Sequence, residues 1–438
     1  MLAVLRDTIR ASSVRLGRRE GASWALVDQA VISGCNFLTI FLLARAMVPA
    51  DFGLYMLIYP GLLLLTSIQS ALITGPHNIL AAALEGNEYK GFTGMLALLQ
   101  LAFAITASAL IAVASLAAAQ IVAPEVALLL IITAVASVPW LAQDFVRRIL
   151  YTRSDSRSAL GNDAVSYGLQ LLGVILIISW HGHAVAPHTA ILILGASSLV
   201  AVSVGIFQLR SHLSLERTTY TLHKAKTVAA EIWGFGKWTT AQQIYMWFNT
   251  TGRGWLLAAF ISLELYGGYR AAYHLVYLLN PIRQAASTYL PARTSRIYGT
   301  EGMKPLHDWT TAIFALLLLA LIPILLLFML ASESLLTFAY QQRYSGLGLE
   351  WVITLGALAY AISFLRLPFE NAILALRRPK LLFFTSIVAF ICLLTLSLPL
   401  LYLYGLIGWL IASALAQLAQ TGYVIRVYYK LGVHNATQ

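Results

Sequence analysis

Apolar runs of twenty or more residues recur along the whole chain, each long enough to cross a bilayer core of about 30 Å as a helix. Few folds are compatible with that succession. In hydrocarbon every backbone N–H and C=O must be satisfied inside the protein, so spanning segments are helices or closed barrels, and runs of this length are helices. Composition agrees: 59% of the 438 residues are hydrophobic and 11% are charged, where a soluble domain carries about 25% charged residues. The reading is an all-α polytopic membrane protein of about 12 transmembrane helices. Their approximate limits are 23–48, 52–76, 93–119, 126–150, 163–180, 189–209, 232–260, 264–290, 309–331, 349–375, 381–402 and 405–427.

The net charge of +11 does not point to nucleic acid, because the basic residues collect in alternate loops. That is the positive-inside pattern of cytoplasmic connections. The N-terminus, the 77–92, 151–162, 210–231 and 293–308 segments, Arg377, Arg378 and Lys380, and the C-terminus hold most Lys and Arg; the opposite loops hold Arg343. Both termini are therefore expected in the cytoplasm. Residues 1–22 carry Arg6, Arg10, Arg15, Arg18 and Arg19 and read as an amphipathic surface segment facing anionic membrane lipids, not a cleavable signal. Cys35 and Cys392 fall inside apolar segments and read as free thiols.

The loops are too short to hold an independent catalytic domain, which usually needs upwards of about 40 residues. A non-enzymatic role is expected, carried out between the helices. Nothing matches G-x-x-x-x-G-K-[ST], which excludes an ATP-driven pump. No metal site is expected either: His181, His183 and His188 lie in a short loop without Cys or acid and read as a solvated turn.

A hairpin, LLARAMVPADFGLY from Leu42 to Tyr55, returns as LLAAFISLELYGGY from Leu256 to Tyr269. Sliding the chain by about 214 residues superposes Trp24 on Trp238, Gln29 on Gln243, Gly53 on Gly267 and Tyr59 on Tyr273. Such internal repetition is a mark of transporters. It predicts two pseudo-symmetric six-helix lobes, 23–209 and 232–430, joined by a cytoplasmic linker 210–231 and followed by a tail 431–438.

Polar residues inside spans are the informative ones, since a charge at the bilayer centre costs about 2.5–3.5 kcal/mol on insertion scales. Arg45, Arg253, Arg270, Arg283 and Arg366 form a ladder of cations across the expected membrane, with Arg253 near the midplane. In the seventh span Trp238, Gln242, Tyr245, Asn249 and Arg253 share one helical face; in the eighth, Tyr266, Arg270, Tyr273, Tyr277, Asn280 and Gln284 do so. Tyr55, Tyr59, Thr66 and Gln69 repeat the idea in the second. Aromatic faces stack on sugar rings, amides bind hydroxyls and guanidinium forks pair with phosphate, so these faces are candidate substrate contacts. The competing explanation is interhelical packing with amides as hydrogen-bond glue. For Arg366 that explanation is specific, because Glu370 stands one helical turn away. Arg45 and Arg283 are placed to snorkel toward headgroups. Asp28 is the acid of the first span and the candidate carrier of a coupling H+ or Na+; its alternatives are a helix cap or a lysine partner.

The first hairpin resembles the opening helical pair of the polysaccharide-export family, within the superfamily of multidrug, oligosaccharidyl-lipid and polysaccharide flippases. FGKWTTAQQ from Phe235, LYGGYRAAYHL from Leu265 and ENAILALRRPKLL from Glu370 agree with it in order and spacing. The resemblance implies a V-shaped pair of six-helix lobes around a cavity, working by alternating access. It implies as substrate an undecaprenyl-pyrophosphate-linked oligosaccharide, a polysaccharide or O-antigen repeat unit, with polymerase and chain-length machinery as partners. Members often carry an acid before the seventh-span arginine; here Gly252 precedes Arg253. The rival readings are multidrug extrusion by the same fold and a membrane-embedded polymerase or ligase. Drug sites for organic cations prefer acids, and this chain keeps arginines in its spans.

Overall fold

A computed structural model describes residues 2–81, 84–120, 123–153, 155–181, 185–210 and 222–436, with 2–22, 181, 222–225, 235, 249, 288, 379 and 432–436 described by backbone alone. The side chains of the basic N-terminal segment and of His181, and all of His183, thus lie outside the described residues, as do residues 211–221 of the 210–231 linker. Helices and turns account for the described chain, and no strand occurs in it. The order is α1 Leu2–Ala46, α2 Pro49–Gln69, α3 Gly75–Leu80, α4 Gly86–Ala118, α5 Pro124–Thr152, α6 Ser156–His181 and α7 Pro187–Leu209. It continues with α8 Leu222–Trp247, α9 Arg253–Ala258, α10 Leu263–Val276, α11 Asn280–Glu301, α12 Met303–Leu330, α13 Ser332–Tyr340, α14 Glu350–Leu365, α15 Leu367–Ala375 and α16 Pro379–Ala436.

Among the described residues, nine helical stretches are long and apolar enough to cross a membrane. The chain is a multi-pass membrane protein. The nine cover ten of the expected spans, because Lys380–Leu431 is one stretch of 52 residues. That stretch bends back at Gly405, whose φ of 59° is a conformation only glycine adopts without strain. Gln420 reaching Ser386 across the bend (3.5 Å) shows two antiparallel helices, as the expected limits 381–402 and 405–427 require. The seventh and eighth expected spans are helical but interrupted, by a π turn at Phe248–Gly252 and a 3₁₀ turn at Tyr277–Leu279. Both cysteines are free.

Local chemistry sets the helix ends. Proline opens α2, α5 and α7, where its missing N–H costs nothing. Ser262 caps α10, its hydroxyl accepting from the Leu265 N–H at 3.2 Å.

The chain forms two compact units, Met1–Leu256 and Leu257–Gln438. The helix after the linker therefore packs with the first unit, whereas the repeat in the sequence groups 232–260 with the second lobe. Inside the first unit, small residues and hydroxyls let helices approach closely. A Cβ on Gly205 would stand 2.5 Å from Val146, so α5 and α7 touch there only because glycine is present. Ser108 and Ser115 of α4 donate to the Ala134 and Ala127 carbonyls of α5, each at 2.7 Å.

α8 and α9 are fastened to α2 by donors aimed at backbone carbonyls. The indole of Trp247 donates to Pro60 O (3.1 Å), that of Trp255 to Leu57 O (2.9 Å), and the Thr239 hydroxyl to Ala71 O (3.2 Å). Gly236 makes room for the last contact, since a Cβ there would meet Ala71 O at 2.9 Å. Two of these donors meet irregular backbone: Trp247 at Pro60 and Thr239 at the π turn Ser70–Thr74 that follows α2. Polar contacts of this kind between membrane helices average about 0.6 kcal/mol and reach about 1.7. Trp247→Phe keeps the ring and loses the donor, so it should lower resistance to denaturing detergent by about 1 kcal/mol. The same change at half-exposed Trp255 should cost less.

Unit two packs α11, α12, α14, α15 and α16. Leu306, Ala372, Ile373 and Val424 are fully enclosed in one of its apolar cores. Tyr340 ties α13 to α10 by donating to Ala271 O at 3.0 Å.

Candidate functional site

Within the first unit, one stretch of α5 organises the polar interior. Gln143, Arg147 and Tyr151 recur at i, i+4 and i+8 and share a face. Arg147 donates through Nε to Asp163 of α6 and through Nη2 to Asp28 of α1, the latter at 3.2 Å. Tyr151 donates to Asp28, and Gln143 donates to Asp163 at 2.8 Å. Both carboxylates are completely inaccessible. Two acids share one guanidinium, so the group carries one excess negative charge when both are ionised. Asp28 Oδ1 is buried and has no hydrogen-bond partner among the described residues. Among the described residues the partners of Asp28 are Arg147 and Tyr151 and no lysine, and Asp28 stands well inside α1 and not at its start.

The neighbouring face of α5 carries a second network. Asp144 pairs with Arg148 at 3.4 Å and accepts from Gln69 at 3.2 Å, and Gln100 donates to Gln69 at 2.9 Å. Tyr59 stands in an aromatic column in the same unit, with Tyr55 at 5.9 Å and Trp140 at 6.3 Å between ring centres, and Tyr167 at 6.5 Å from Trp140. Tyr167 lies one turn beyond Asp163, so the column ends at the carboxylate pair. Tyr59 is nine-tenths buried in that packing.

Other sequence candidates in this unit scatter. Gln242 is exposed, Tyr245 and Arg253 are half-buried, and the Asn249 side chain lies outside the described residues. The π turn Phe248–Gly252 breaks the 3.6-residue period on which their single face was drawn, so Arg253 starts a new helix out of phase with Gln242 and Tyr245. Arg45 sits in the last turn of α1, where a cation meets the negative end of the helix dipole.

The second unit brings the eighth-span candidates together. Tyr266, Tyr269, Tyr273 and Tyr277 form a ladder along α10, with ring centres 6.2, 5.7 and 5.3 Å apart in turn. Arg270 stands on this helix beside the ladder. Its Nε is buried and has no hydrogen-bond partner, and it forms no ion pair with the described residues. At the other end of the ladder the Arg283 guanidinium lies 5.5 Å from the Tyr360 ring centre, and Tyr360 donates to Asn280 at 3.1 Å. By helical rise, Arg270 and Arg283 are about 20 Å apart along the span. Arg366 differs. It is buried, pairs with Glu370 at 2.7 Å and donates to Gln417 of α16 at 2.8 Å, so its charge is already balanced by the local partner that its spacing predicts.

Arg147, Tyr151, Gln143 and Asp163 are absent from the sequence candidates. Arg147 and Arg148 fall inside the expected span 126–150, near its cytoplasmic end, yet the ladder of intramembrane arginines leaves them out. The polar i, i+4, i+8 spacing inside an apolar helix was the available signal.

No family model matches the chain, and no curated protein matches it in sequence. Solved structures do. An inward-facing multidrug resistance MATE family transporter of the MOP superfamily aligns with a TM-score of 0.70 and 12% identity, over 93% of this chain and 98% of that one. The lipid II flippase MurJ in its inward closed conformation aligns with a TM-score of 0.68 and 14% identity, over 93% and 90%. A MOP superfamily transporter from Pyrococcus furiosus, described as having a binding pocket of reverse polarity, aligns with a TM-score of 0.57 and 13% identity, over 93% and 94%. The chain thus has the fold of the multidrug, oligosaccharidyl-lipid and polysaccharide flippase superfamily, as the hairpin and its companion motifs anticipate.

Proposed function

We propose that this protein is a flippase that carries a lipid-linked oligosaccharide with a diphosphate head across a bacterial inner membrane by alternating access. Both termini are in the cytoplasm in this reading. The observation that carries it is Arg270: a half-buried arginine whose enclosed Nε has no hydrogen-bond partner and which has no ion-pair partner among the described residues, standing beside four tyrosines. A fixed cation among aromatic faces suits an anionic head joined to sugars and repels an organic cation. Both the MATE and the MurJ likenesses are compatible with the fold, so this charge is what favours the glycolipid over drug extrusion.

The energy comes from a proton gradient in this reading, taken up at the Asp28–Asp163 pair. Among the described residues, the side chains that hydrogen-bond to the pair are donors: Gln143, Arg147 and Tyr151. A metal cation such as Na+ would lie against the Arg147 guanidinium, which stays charged at any working pH. One proton on Asp28 Oδ1 cancels the excess charge without that repulsion.

Reconstitution of the purified chain into liposomes tests both statements. A fluorescent polyprenyl-diphosphate oligosaccharide should change leaflets at a rate that rises with a pH gradient and ignores a Na+ gradient. Extrusion of a cationic dye with no movement of the glycolipid would overturn the substrate assignment in favour of the drug exporter.

A further inference from the structure

A cavity of about 510 Å³ is cut into the first unit between α2, α4 and α5, with the ring of Trp255 as one wall. Its lining includes Leu54 and Leu65 of α2, Ile111 of α4, and Leu130 and Thr133 of α5. The two polar atoms these walls contain are already used. The Thr133 hydroxyl donates to Leu129 O at 2.7 Å, and the Trp255 indole donates to Leu57 O at 2.9 Å. Nothing is left to hold a polar ligand.

Position along the helices fixes the depth. The lining starts close to the beginning of α2, close to the end of α4 and close to the beginning of α5, all at one membrane face. From Leu54 to Leu65 the helix rises about 16 Å, the hydrocarbon thickness of one leaflet in a core of about 30 Å. The cavity also continues the lipid-facing surface. Leu110 and Val113 of α4 and Leu128 and Ile131 of α5 alternate with the lining residues and are exposed. In a membrane protein such side chains face lipid chains.

We propose that this cavity is a binding site for one acyl chain of a phospholipid in that leaflet, lying parallel to α2 and closed on one side by Trp255. Length, dryness and continuity with the lipid surface select a hydrocarbon chain. The leaflet supplies acyl chains directly to the opening, whereas a polyprenyl tail arrives only with substrate. The bound chain completes the wall on which Trp255 rests, and so supports the attachment of α9 to α2.

Depth-resolved photolabelling tests the proposal on the full chain in phosphatidylcholine liposomes. Two probes are used: phosphatidylcholine with a diazirine at the terminal methyl of one acyl chain, and the same lipid with a diazirine near the ester. The terminal probe should mark the Leu65 and Thr133 end, and the ester-proximal probe the Leu54 and Val126 end. Each should exceed labelling at Leu101 and Ile105, exposed on the same α4, by at least threefold. Ala114→Trp fills the cavity and should remove that excess, while Leu101→Trp should not. Labelling spread evenly over α4 and α5 in the unmodified chain would overturn the site without recourse to any variant. So would reaction of Leu65→Cys with a charged maleimide, which would show water in the cavity. Excess labelling by a diazirine polyprenyl phosphate and none by phosphatidylcholine would replace the acyl chain by the isoprenoid.

Discussion

Arg147→Ala should leave little folded protein, with a loss of about 3–5 kcal/mol, the usual cost of removing one partner from a buried ion pair. The reason is the arrangement around it. Asp28 and Asp163 are both fully enclosed, and Arg147 is the cation that meets them. Without it two carboxylates face each other in a dry interior. The defect should be repaired by removing the charges it exposes, so Arg147→Gln combined with Asp28→Asn and Asp163→Asn should restore abundance and detergent resistance. That triple variant should nevertheless fail to respond to a pH gradient. Asp28→Asn alone keeps the Arg147–Asp163 pair and should fold normally while losing gradient-driven transport. Size-exclusion profiles together with the liposome assay separate the two effects. A well-folded Arg147→Ala protein at wild-type abundance would show that the pair is not held by this arginine.

Arg270→Ala should lower glycolipid translocation about ten- to a hundredfold, matching the roughly 1.5–3 kcal/mol of a charge-assisted hydrogen bond. The protein should remain inserted and abundant, because removing an unpaired charge from a membrane helix eases burial. Arg270→Lys keeps the charge and loses the planar fork, so partial activity is expected. The contrast with Arg366 is informative. Arg366→Ala strips Glu370 and Gln417 of their partner, so it should reduce stability before it reduces transport. Accumulation of the lipid-linked precursor in cells, compared with protein level, distinguishes a lost substrate contact from a lost helix contact. Wild-type translocation by Arg270→Ala would remove the observation on which the glycolipid reading rests.

Span positions were legible in the sequence because hydropathy is a local property and the bilayer fixes the length it must cover. The same holds for Arg366 and Glu370, four residues apart on one helix, and for the tyrosines of α10, whose ladder follows from the period of a single helix. Those features needed only the chain's own neighbours. Asp28 was marked by its cost inside a span, but its partner was not, since Arg147 lies 119 residues away. Only the packing of α1, α5 and α6 decides that two acids share one guanidinium. The seventh span shows the opposite failure: its polar residues keep an even spacing in the sequence, and the π turn at Phe248–Gly252 changes their phase. Repetition groups that helix with the second half of the chain. Its attachment to the first unit is set by Trp247, Trp255 and Thr239 finding carbonyls of α2 and of the π turn that follows it. Hydrophobic length places a helix in the membrane, but between helices already surrounded by hydrocarbon it has little left to drive, so close packing and hydrogen bonds choose the neighbours.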